Sequence, residues 1–434
     1  MTGPPLDALA EPVAPVPEPP SHDLTPRQWV RANLASTPLN AALTVVIGVV
    51  VAWVTYRLAR WVFVTGDWGV VRTNLRLFMV GRFPADQLWR LWVAGYVVAA
   101  TLGLAFGAAA SLRRPPGAAG APPGPDDAGG DRPPSGGRRA LAMAHRFWPA
   151  ILAVVVVLGF TRTPLPTILT AGLVAVLVGA TLAGRRLPAR LRRWTWLVAV
   201  AGLLAGLQVI TYGEDGVGWD DWGGLHLAVA ATLAGIALAF PLGLLLALAR
   251  RSPLPGIRVV AVGYIEAFRA VPLVTLLFVG QYMIGFLFPT TVDPPSFLVR
   301  AIIAITLFEA AYIAEIVRGG LLAVPHGQVE AAQALGLPAP KVLRLVVLPQ
   351  ALRAVIPAMV GQFISLFKDT SLLAIVSFLE LIGVAELAAT QPGTRGPQFA
   401  VMTLTFVGFL FWAGCSTMSR ESRRLERRLG VGER

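Results

Sequence analysis

The sequence predicts an all-α, polytopic membrane protein with about ten transmembrane helices. Three observations support this fold class: 55% of the 434 residues are hydrophobic, 14% are charged, and the mean hydropathy is +0.65. A soluble domain contains about 25% charged residues, so this composition excludes one. The net charge of +13 does not indicate nucleic-acid binding, because the arginines occur in short clusters between apolar runs and not on one folded face.

The N-terminal segment 1–37 is rich in proline and acidic residues and lacks the basic start and short apolar core of a cleavable signal peptide. We expect it to be a disordered cytoplasmic tail. After it, a transmembrane helix needs about 20 apolar residues, since each residue advances about 1.5 Å through about 30 Å of hydrocarbon. Ten segments qualify: 40–62, 89–110, 143–160, 167–184, 194–212, 225–249, 268–288, 297–317, 352–372 and 397–418. The third and fourth are short enough to form a hairpin that does not fully cross the membrane.

The loops between these spans predict the orientation of the chain. Arginines concentrate in the loops 113–146, 185–193 and 250–258 and in the basic tail 419–434, whereas the alternate loop carries Glu214, Asp215, Asp220 and Asp221. Lys and Arg accumulate in short cytoplasmic loops, so we expect both termini to be cytoplasmic. The arginines in the loop 63–88 do not fit this orientation, because they would face outward. Either they snorkel to lipid headgroups, or the first span is inverted.

Two features of the N-terminal half concern its organisation. The Pro/Gly-rich segment 113–139 has no packing periodicity and predicts a flexible cytoplasmic linker within a membrane extension that spans 38–212. Gly103 and Gly107 have the GxxxG spacing that permits close contact between membrane helices. Beyond these, the extension carries no recognisable chemistry.

The segment 318–350 predicts a structured loop with two short helices. Residues 328–335 form the first, and Gly336 can take the left-handed conformation that ends a helix. Pro338 and Pro340 suit the start of a second helix over 340–348, which Pro349 is expected to stop. The apolar side chains at the bend are Leu335, Leu337 and Val342. Such an exposed apolar corner indicates a partner surface.

This loop resembles the EAA loop of ABC importer permeases. The residues that carry the resemblance are Glu330, Ala331, Ala332, Gly336, Leu348 and Pro349. In that family the loop is a coupling helix that docks on the ATPase subunit. The resemblance therefore implies that these six residues couple the membrane spans to ATP hydrolysis elsewhere.

Three flanking segments are similar to the polar-amino-acid permeases of that family. They contain candidate pathway or core residues, namely Glu266, Arg269, Pro272, Glu315, Arg318, Lys368, Asp369 and Thr370. The similarity covers about 222–418 and implies a five-helix type I permease core there, while the long N-terminal half looks like the larger subunit of general L-amino-acid permeases. Ala270, Val271 and Glu309 depart from the usual pattern.

The resemblance also implies a location in a bacterial inner membrane, partners and cofactors. We expect a homologous permease subunit, two cytoplasmic ABC ATPase subunits, a periplasmic amino-acid-binding protein and membrane lipid, with no nucleic acid. The sequence contains no phosphate-binding GxxxxGK[ST] loop, so this chain is not expected to be an enzyme, and ATP and Mg are used by the partners. No catalytic, cofactor or metal residue is predicted, and a lone Cys415 excludes a disulfide framework.

The charged candidates have alternative interpretations. Glu266 and Arg269 are three positions apart and lie on one helix face. In one interpretation they are structural and form ion pairs at the membrane interface, with each other or with a neighbouring helix; in the other they contact substrate. Glu315 and Arg318 share the spacing, and we expect them to hold the coupling loop to its helix. Glu309 lies within a span, where we expect it to face a cavity or a partner. For Lys368 and Asp369 there are two alternatives: one of them lines the pathway, or both anchor the span at the membrane interface.

Two other function classes remain at this point. An ion-gradient-driven secondary amino-acid transporter predicts a repeated core and needs no cytoplasmic elbow. A membrane scaffold would use the N-terminal half for assembly and leaves the EAA-like loop and its flanking segments unexplained. The favoured prediction is an ATP-driven importer of polar L-amino acids that works by alternating access.

Overall fold

The computed structural model describes residues 25–112, 136–212, 216–289, 291–394 and 396–429. The chain divides into two compact units, Met1–Gly66 and Asp67–Arg434. The predicted disordered tail before residue 25 and the predicted flexible linker over 113–135 lie outside the described residues. Glu214 and Asp215 also lie outside them. Within the predicted tail, however, Pro26–Asn33 forms a helix (α1), because Thr25 and Gln28 make a reciprocal capping box at its start.

The first unit contains one membrane-length helix, α2 (Pro38–Arg60), which a π-helical turn extends over Trp61–Thr65. None of its residues is buried within the protein. A helix that is apolar on all sides and unburied is suited to a lipid environment. This helix matches the predicted first span at 40–62.

The N-terminal extension of the second unit is built around a long helix, α5 (Leu88–Leu112), that packs along α7 (Leu165–Arg186) and α9 (Thr195–Thr211). Its other helices are α3 (Gly69–Thr73), α4 (Leu75–Val80), α6 (Gly136–Gly159) and α8 (Ala189–Arg192). A Cβ atom on Gly107 would lie 2.1 Å from the carbonyl oxygen of Thr181. The predicted GxxxG pair therefore sits where α5 and α7 approach most closely.

The C-terminal half has a central helix, α13 (Phe297–Leu322), of which 14 of 26 residues are buried. Around it lie α10 (Gly224–Ala249), α11 (Pro255–Ala270), α12 (Leu273–Phe278), α16 (Leu348–Asp369), α17 (Leu381–Thr390) and α18 (Pro397–Leu429). Small residues permit this packing: a Cβ on Gly243 would lie 2.6 Å from the side chain of Ile313. Two short helices, α14 (His326–Ala334) and α15 (Ala339–Val342), occupy the loop between α13 and α16.

The described residues contain seven helices long and apolar enough to cross a membrane, or eight if one bent pair is a single span. This confirms the predicted all-α membrane fold. The predicted third and fifth spans are shorter apolar helices, Met143–Gly159 and Thr195–Thr211. The short helix α17 was not predicted.

The span predicted over 268–288 starts later in the structure, at Leu273, and does not continue straight from the preceding helix. The chain is helical to Ala270, breaks at Val271 and Pro272, and resumes at Leu273 with its axis turned by 103°. Proline has no N–H for the helix ladder and forces the residue before it into an extended conformation, which Val271 adopts (φ −102°, ψ 135°). The second limb continues through a π-helical turn and a 3₁₀ turn to Leu287.

The extension contacts the core along α10, α17 and α18. Phe78 of α4 packs edge-on against Phe406 of α18, with ring centroids 5.2 Å apart. The side chain of Gln391 donates a hydrogen bond of 3.0 Å to buried Asn74. On α6, Arg146 forms an ion pair with Glu421 of α18. These contacts make the extension and the core one compact unit.

Candidate functional site

The elbow, residues 326–347, is a bend between two short helices. Gly336 has a φ of +76°, in the left-handed region, and its N–H donates a 2.8 Å hydrogen bond to the carbonyl of Gln333. The prediction that Gly336 ends the first helix is confirmed. Glycine reaches this conformation without the steric penalty that a Cβ would bring.

The elbow has a buried face and an exposed face. Ala332, Val342 and Val347 are buried in a hydrophobic cluster with Val317 and Leu321 of α13. On the other face Leu335 is 81% exposed. The remaining predicted coupling residues Glu330 and Ala331 are also exposed. The arrangement fixes the elbow to α13 and presents an apolar tip and a carboxylate outward.

The prediction that Pro349 stops the second helix is wrong. The chain runs from α15 through a π-helical turn at Leu343–Val347 directly into α16. Leu348 and Pro349 occupy the first two positions of α16. There a missing N–H leaves the helix ladder intact, so the proline begins a helix and does not end one. The elbow is therefore joined to α16 through a widened helical turn.

The carboxylate of Glu315 on α13 contacts three arginines. It lies 2.6 Å from Arg250 at the end of α10, 2.9 Å from Arg318 on its own helix and 3.9 Å from Arg269 at the end of α11. Arg250 also contacts Glu266 at 3.2 Å. Glu266 and Arg269 thus each pair with a neighbouring helix, which was one of the two predicted arrangements. The predicted Glu315–Arg318 pair is present.

This ion-pair cluster, Arg250, Glu266, Arg269, Glu315 and Arg318, joins three elements near the elbow. The side chain of Glu315 is only 17% exposed, whereas that of Glu266 is 56% exposed. Removing a partly buried carboxylate leaves its guanidinium partners uncompensated and is therefore more destabilising than breaking an exposed pair, which contributes about 0–1 kcal/mol. Glu315 is therefore the residue on which the cluster depends.

Arg250 was missed as a member of this cluster. In the sequence it belongs to a basic loop, and 65 residues separate it from Glu315. Spacing rules connect residues three or four positions apart on one helix and cannot detect such a partner. The arginine excess at the end of α10 was the only available signal.

Glu309 is fully buried at the middle of α13. Its Oε2 accepts a 2.9 Å hydrogen bond from the side-chain amide of Gln362 on α16. Its Oε1 and the hydroxyl of Thr306 have no hydrogen-bond partner among the described residues. Glu309 thus faces a partner across the core, as one of its two interpretations required, and retains a free acceptor.

Lys368, Asp369 and Thr370 lie where α16 gives way to a 3₁₀ turn. Lys368 is exposed, Asp369 is half-buried, and Thr370 is fully buried with its hydroxyl donating to the carbonyl of Phe367 at 2.7 Å. The two charged side chains therefore have different surroundings, as their adjacent positions on a helix predict. Pro272 lies at the bend that precedes α12.

Among the described residues, no group of three or more His, Cys, Asp or Glu side chains could hold a metal ion. The site comprises the elbow, the ion-pair cluster behind it and polar groups within the helix bundle.

A family model described as "binding-protein-dependent transport system inner membrane component" matches residues 239–430. That range contains the elbow, the ion-pair cluster, Glu309 and Asp369. Within it lie all the residues for which the sequence predicted a coupling or pathway role.

Characterised proteins match over two different lengths. The chain is 35% identical to the glutamate/glutamine/aspartate/asparagine transport system permease protein BztC of Rhodobacter capsulatus, over 93% of both chains. It is 31% identical to the inner membrane amino-acid ABC transporter permease protein YhdY of Escherichia coli, over 96% of both. A shorter relative, the L-cystine transport system permease protein TcyB of Bacillus subtilis, is 36% identical over 48% of this chain and 85% of its own length. The first two relatives match along the extension as well as the core.

Proposed function

Because the chain belongs to the family of binding-protein-dependent transport system inner membrane components, and among these to the amino-acid ABC transporter permeases, we propose that it imports polar L-amino acids by ATP-driven alternating access. It is a multi-pass membrane permease. The proposal adds the energy source, the substrate class and the orientation, with the elbow and both termini in the cytoplasm.

The observation that carries the proposal is the elbow with its two faces. A membrane transporter driven by an ion gradient needs no rigid projection anchored to its central helix. Here Gly336 shapes a bend whose Leu335 tip is exposed while Ala332 and Val342 fix it to α13. An exposed apolar side chain beside the Glu330 carboxylate suits docking to a protein groove. We assign that groove to an ABC ATPase subunit, two of which serve the complex.

The contacts behind the elbow support a route for the motion. A displacement of the elbow reaches α16 through the π-helical turn Leu343–Val347 and reaches α13 through the buried cluster. From α13 the Glu315 carboxylate leads to α10 through Arg250 and to α11 through Arg269. The bend at Pro272 then relates α11 to α12. In this proposal, closing of the ATPases rotates these helices as a group.

The proposed complex contains this chain, a homologous permease subunit, two ATPases and a periplasmic amino-acid-binding protein. ATP and Mg bind the ATPase subunits, and this chain binds no cofactor. The substrate class follows the names of its long relatives, of which BztC is named for glutamate, glutamine, aspartate and asparagine. We therefore expect polar, acidic or amide side chains on the substrate.

The test uses the assembled complex in proteoliposomes. Uptake of radiolabelled glutamate, glutamine, aspartate and asparagine is measured with ATP inside, with and without the binding protein, and with an ion gradient in place of ATP. Uptake that requires both ATP and the binding protein supports the proposal. Uptake driven by the ion gradient alone would instead establish the secondary transporter. Glu330→Lys should abolish uptake without preventing membrane insertion, and Glu386→Lys, on an exposed position of α17, is the matched control.

A further inference from the structure

A cleft of about 560 Å³ lies between the α10–α11 turn and the elbow. Its walls include Ala249 and Ile257 on one side and Val329 and Val342 on the other. The volume falls within the range of about 300–1,000 Å³ that is typical of small-ligand sites. The pathway candidates Glu309 and Asp369 do not line it, and neither do the members of the ion-pair cluster.

An apolar groove of about 350 Å³ continues from this cleft between the last turn of α10 and the first turns of α11. All of its lining residues are apolar, and it shares Ala249 and Ile257 with the cleft. Two of the residues that line the groove are largely accessible: Ile257 is 47% exposed and Val260 is 73% exposed. A Cβ on Gly256 would meet no atom within 4 Å, so the groove is open at this point.

The polar groups of the cleft are Arg251, Ser252, His326 and Gln333, and no carboxylate is present among the described residues that line it. Arg251 donates one hydrogen bond, of 3.3 Å, to the carbonyl of Leu321. A guanidinium has five N–H groups, so most of its donors remain for a ligand. Arg251 also takes part in none of the ion pairs found among the described residues.

We propose that the cleft and the groove together bind one anionic phospholipid, with its phosphate at Arg251 and one acyl chain along the groove. An amino acid would leave the groove empty, and a neutral lipid would leave the guanidinium without a counter-charge. Basic pockets between membrane helices on the cytoplasmic side recognise anionic headgroups in this way. The site goes beyond the transport function, but its assignment to the cytoplasmic leaflet relies on the proposed orientation and its effect on coupling relies on the proposed function.

The bound lipid would brace the elbow from its inner side. Val329 and Gln333 belong to α14 and line the cleft, so an occupied site restricts movement of α14 toward α10. Anionic lipid in the membrane would thereby affect the coupling between ATP hydrolysis and transport.

Native mass spectrometry of the assembled transporter in detergent tests this proposal, with dioleoyl-phosphatidylglycerol and dioleoyl-phosphatidylcholine as probes. One guanidinium is expected to favour the anionic lipid by about fivefold. Arg251→Gln should abolish this preference. Arg258→Gln, which removes an exposed arginine of α11 that lies outside both linings, should preserve it. Equal binding of the two lipids by the wild type, or an equal effect of the two substitutions, overturns the proposal.

A second variant tests the groove independently of the charge. Ile257→Trp fills the space shared by the cleft and the groove and should lower phosphatidylglycerol binding at least about fivefold, with Arg251 unchanged. Val259→Trp, at an exposed position two residues away that lines neither space, is its control. Undiminished binding by Ile257→Trp overturns the proposal even if Arg251→Gln fails to fold.

Discussion

The carboxylate of Glu315 lies 2.6 Å from the guanidinium of Arg250, a residue 65 positions earlier in the chain. This contact joins the middle helix of the core to the end of α10. Because Glu315 also contacts Arg318 and Arg269, one carboxylate holds three cationic groups that would otherwise repel one another. Removing it should affect all three helices at once.

Glu315→Gln is therefore expected to uncouple the transporter. Loss of a partly buried, multiply hydrogen-bonded charge costs about 1–3 kcal/mol, which corresponds to a fall of about fivefold to about 150-fold in uptake if coupling depends on the cluster. Uptake and ATPase activity are measured together in proteoliposomes, and uptake should fall more than ATPase activity. Glu266→Gln is the control, since it removes one exposed contact of Arg250 and should have a small effect.

Exchanging the charges of Glu315 and Arg318 tests whether these two residues act as an isolated pair. If Glu315 and Arg318 acted as an isolated pair, Glu315→Arg combined with Arg318→Glu would restore uptake fully. The new arginine would face Arg250 and Arg269, so we expect only partial recovery over the single substitutions. Full recovery would show that the contacts of Glu315 with Arg250 and Arg269 contribute nothing, and no recovery would count against the Glu315–Arg318 pair itself.

The conformation of Gly336 predicts a graded series at the elbow. Its φ of +76° costs an alanine about 1–2 kcal/mol, whereas proline is locked near −65° and also removes the N–H that bonds to Gln333. Uptake should fall moderately with Gly336→Ala and be lost with Gly336→Pro, while Gly336→Asn should be tolerated best because asparagine accepts this region. Gly327→Ala, in α14 and with open space around its Cβ position, is the control. Wild-type uptake by Gly336→Pro would refute the coupling role.

Local chemistry predicted some of these features and missed others for identifiable reasons. Gly336 was predictable because only its own backbone freedom decides the bend. Pro272 stood in the sequence, but a count of apolar residues does not register that a proline splits a hydrophobic run into two helices. Pro349 suits a helix start as well as a stop, and the choice depends on the π-helical turn before it. The Arg250–Glu315 contact depends on how α10 packs against α13, which residue spacing does not contain.

Substitutions of Glu309 and Thr306, two buried polar residues on α13, are expected to have different effects on stability. Glu309→Ala leaves the amide of Gln362 without its partner and should destabilise the protein by about 1–3 kcal/mol. Thr306→Val replaces a hydroxyl that has no partner among the described residues and should be neutral or stabilising. Thermal unfolding of the purified complex in detergent distinguishes the two. A lower melting temperature for Thr306→Val would show that its hydroxyl has a role in the complex.

Asp369 and Lys368 should differ in their effect on transport. Asp369 is half-buried next to the fully buried Thr370, whereas Lys368 is exposed. If the carboxylate lines the pathway, it attracts the ammonium group of an amino acid, and its removal should cost about tenfold in uptake. We expect Asp369→Asn to lower uptake while ATPase activity continues, and Lys368→Gln to have the smaller effect. Normal uptake in both variants would end the pathway assignment and leave an interfacial anchor.

The crossing of α5 and α7 gives a test of the extension that leaves the core unchanged. A Cβ on Gly107 would lie 2.1 Å from the carbonyl oxygen of Thr181, a backbone atom that cannot move aside without shifting α7. Gly107→Leu should therefore separate the two helices at a cost of about 1–3 kcal/mol, measured as a lower melting temperature of the complex. Gly179→Leu is the control, because a Cβ at that position of α7 meets no atom within 4 Å and its side chain would point into open space. If Gly107→Leu lowers the melting temperature but leaves ATP-driven uptake intact, the extension serves assembly or anchoring; loss of uptake would instead place it in the transport cycle.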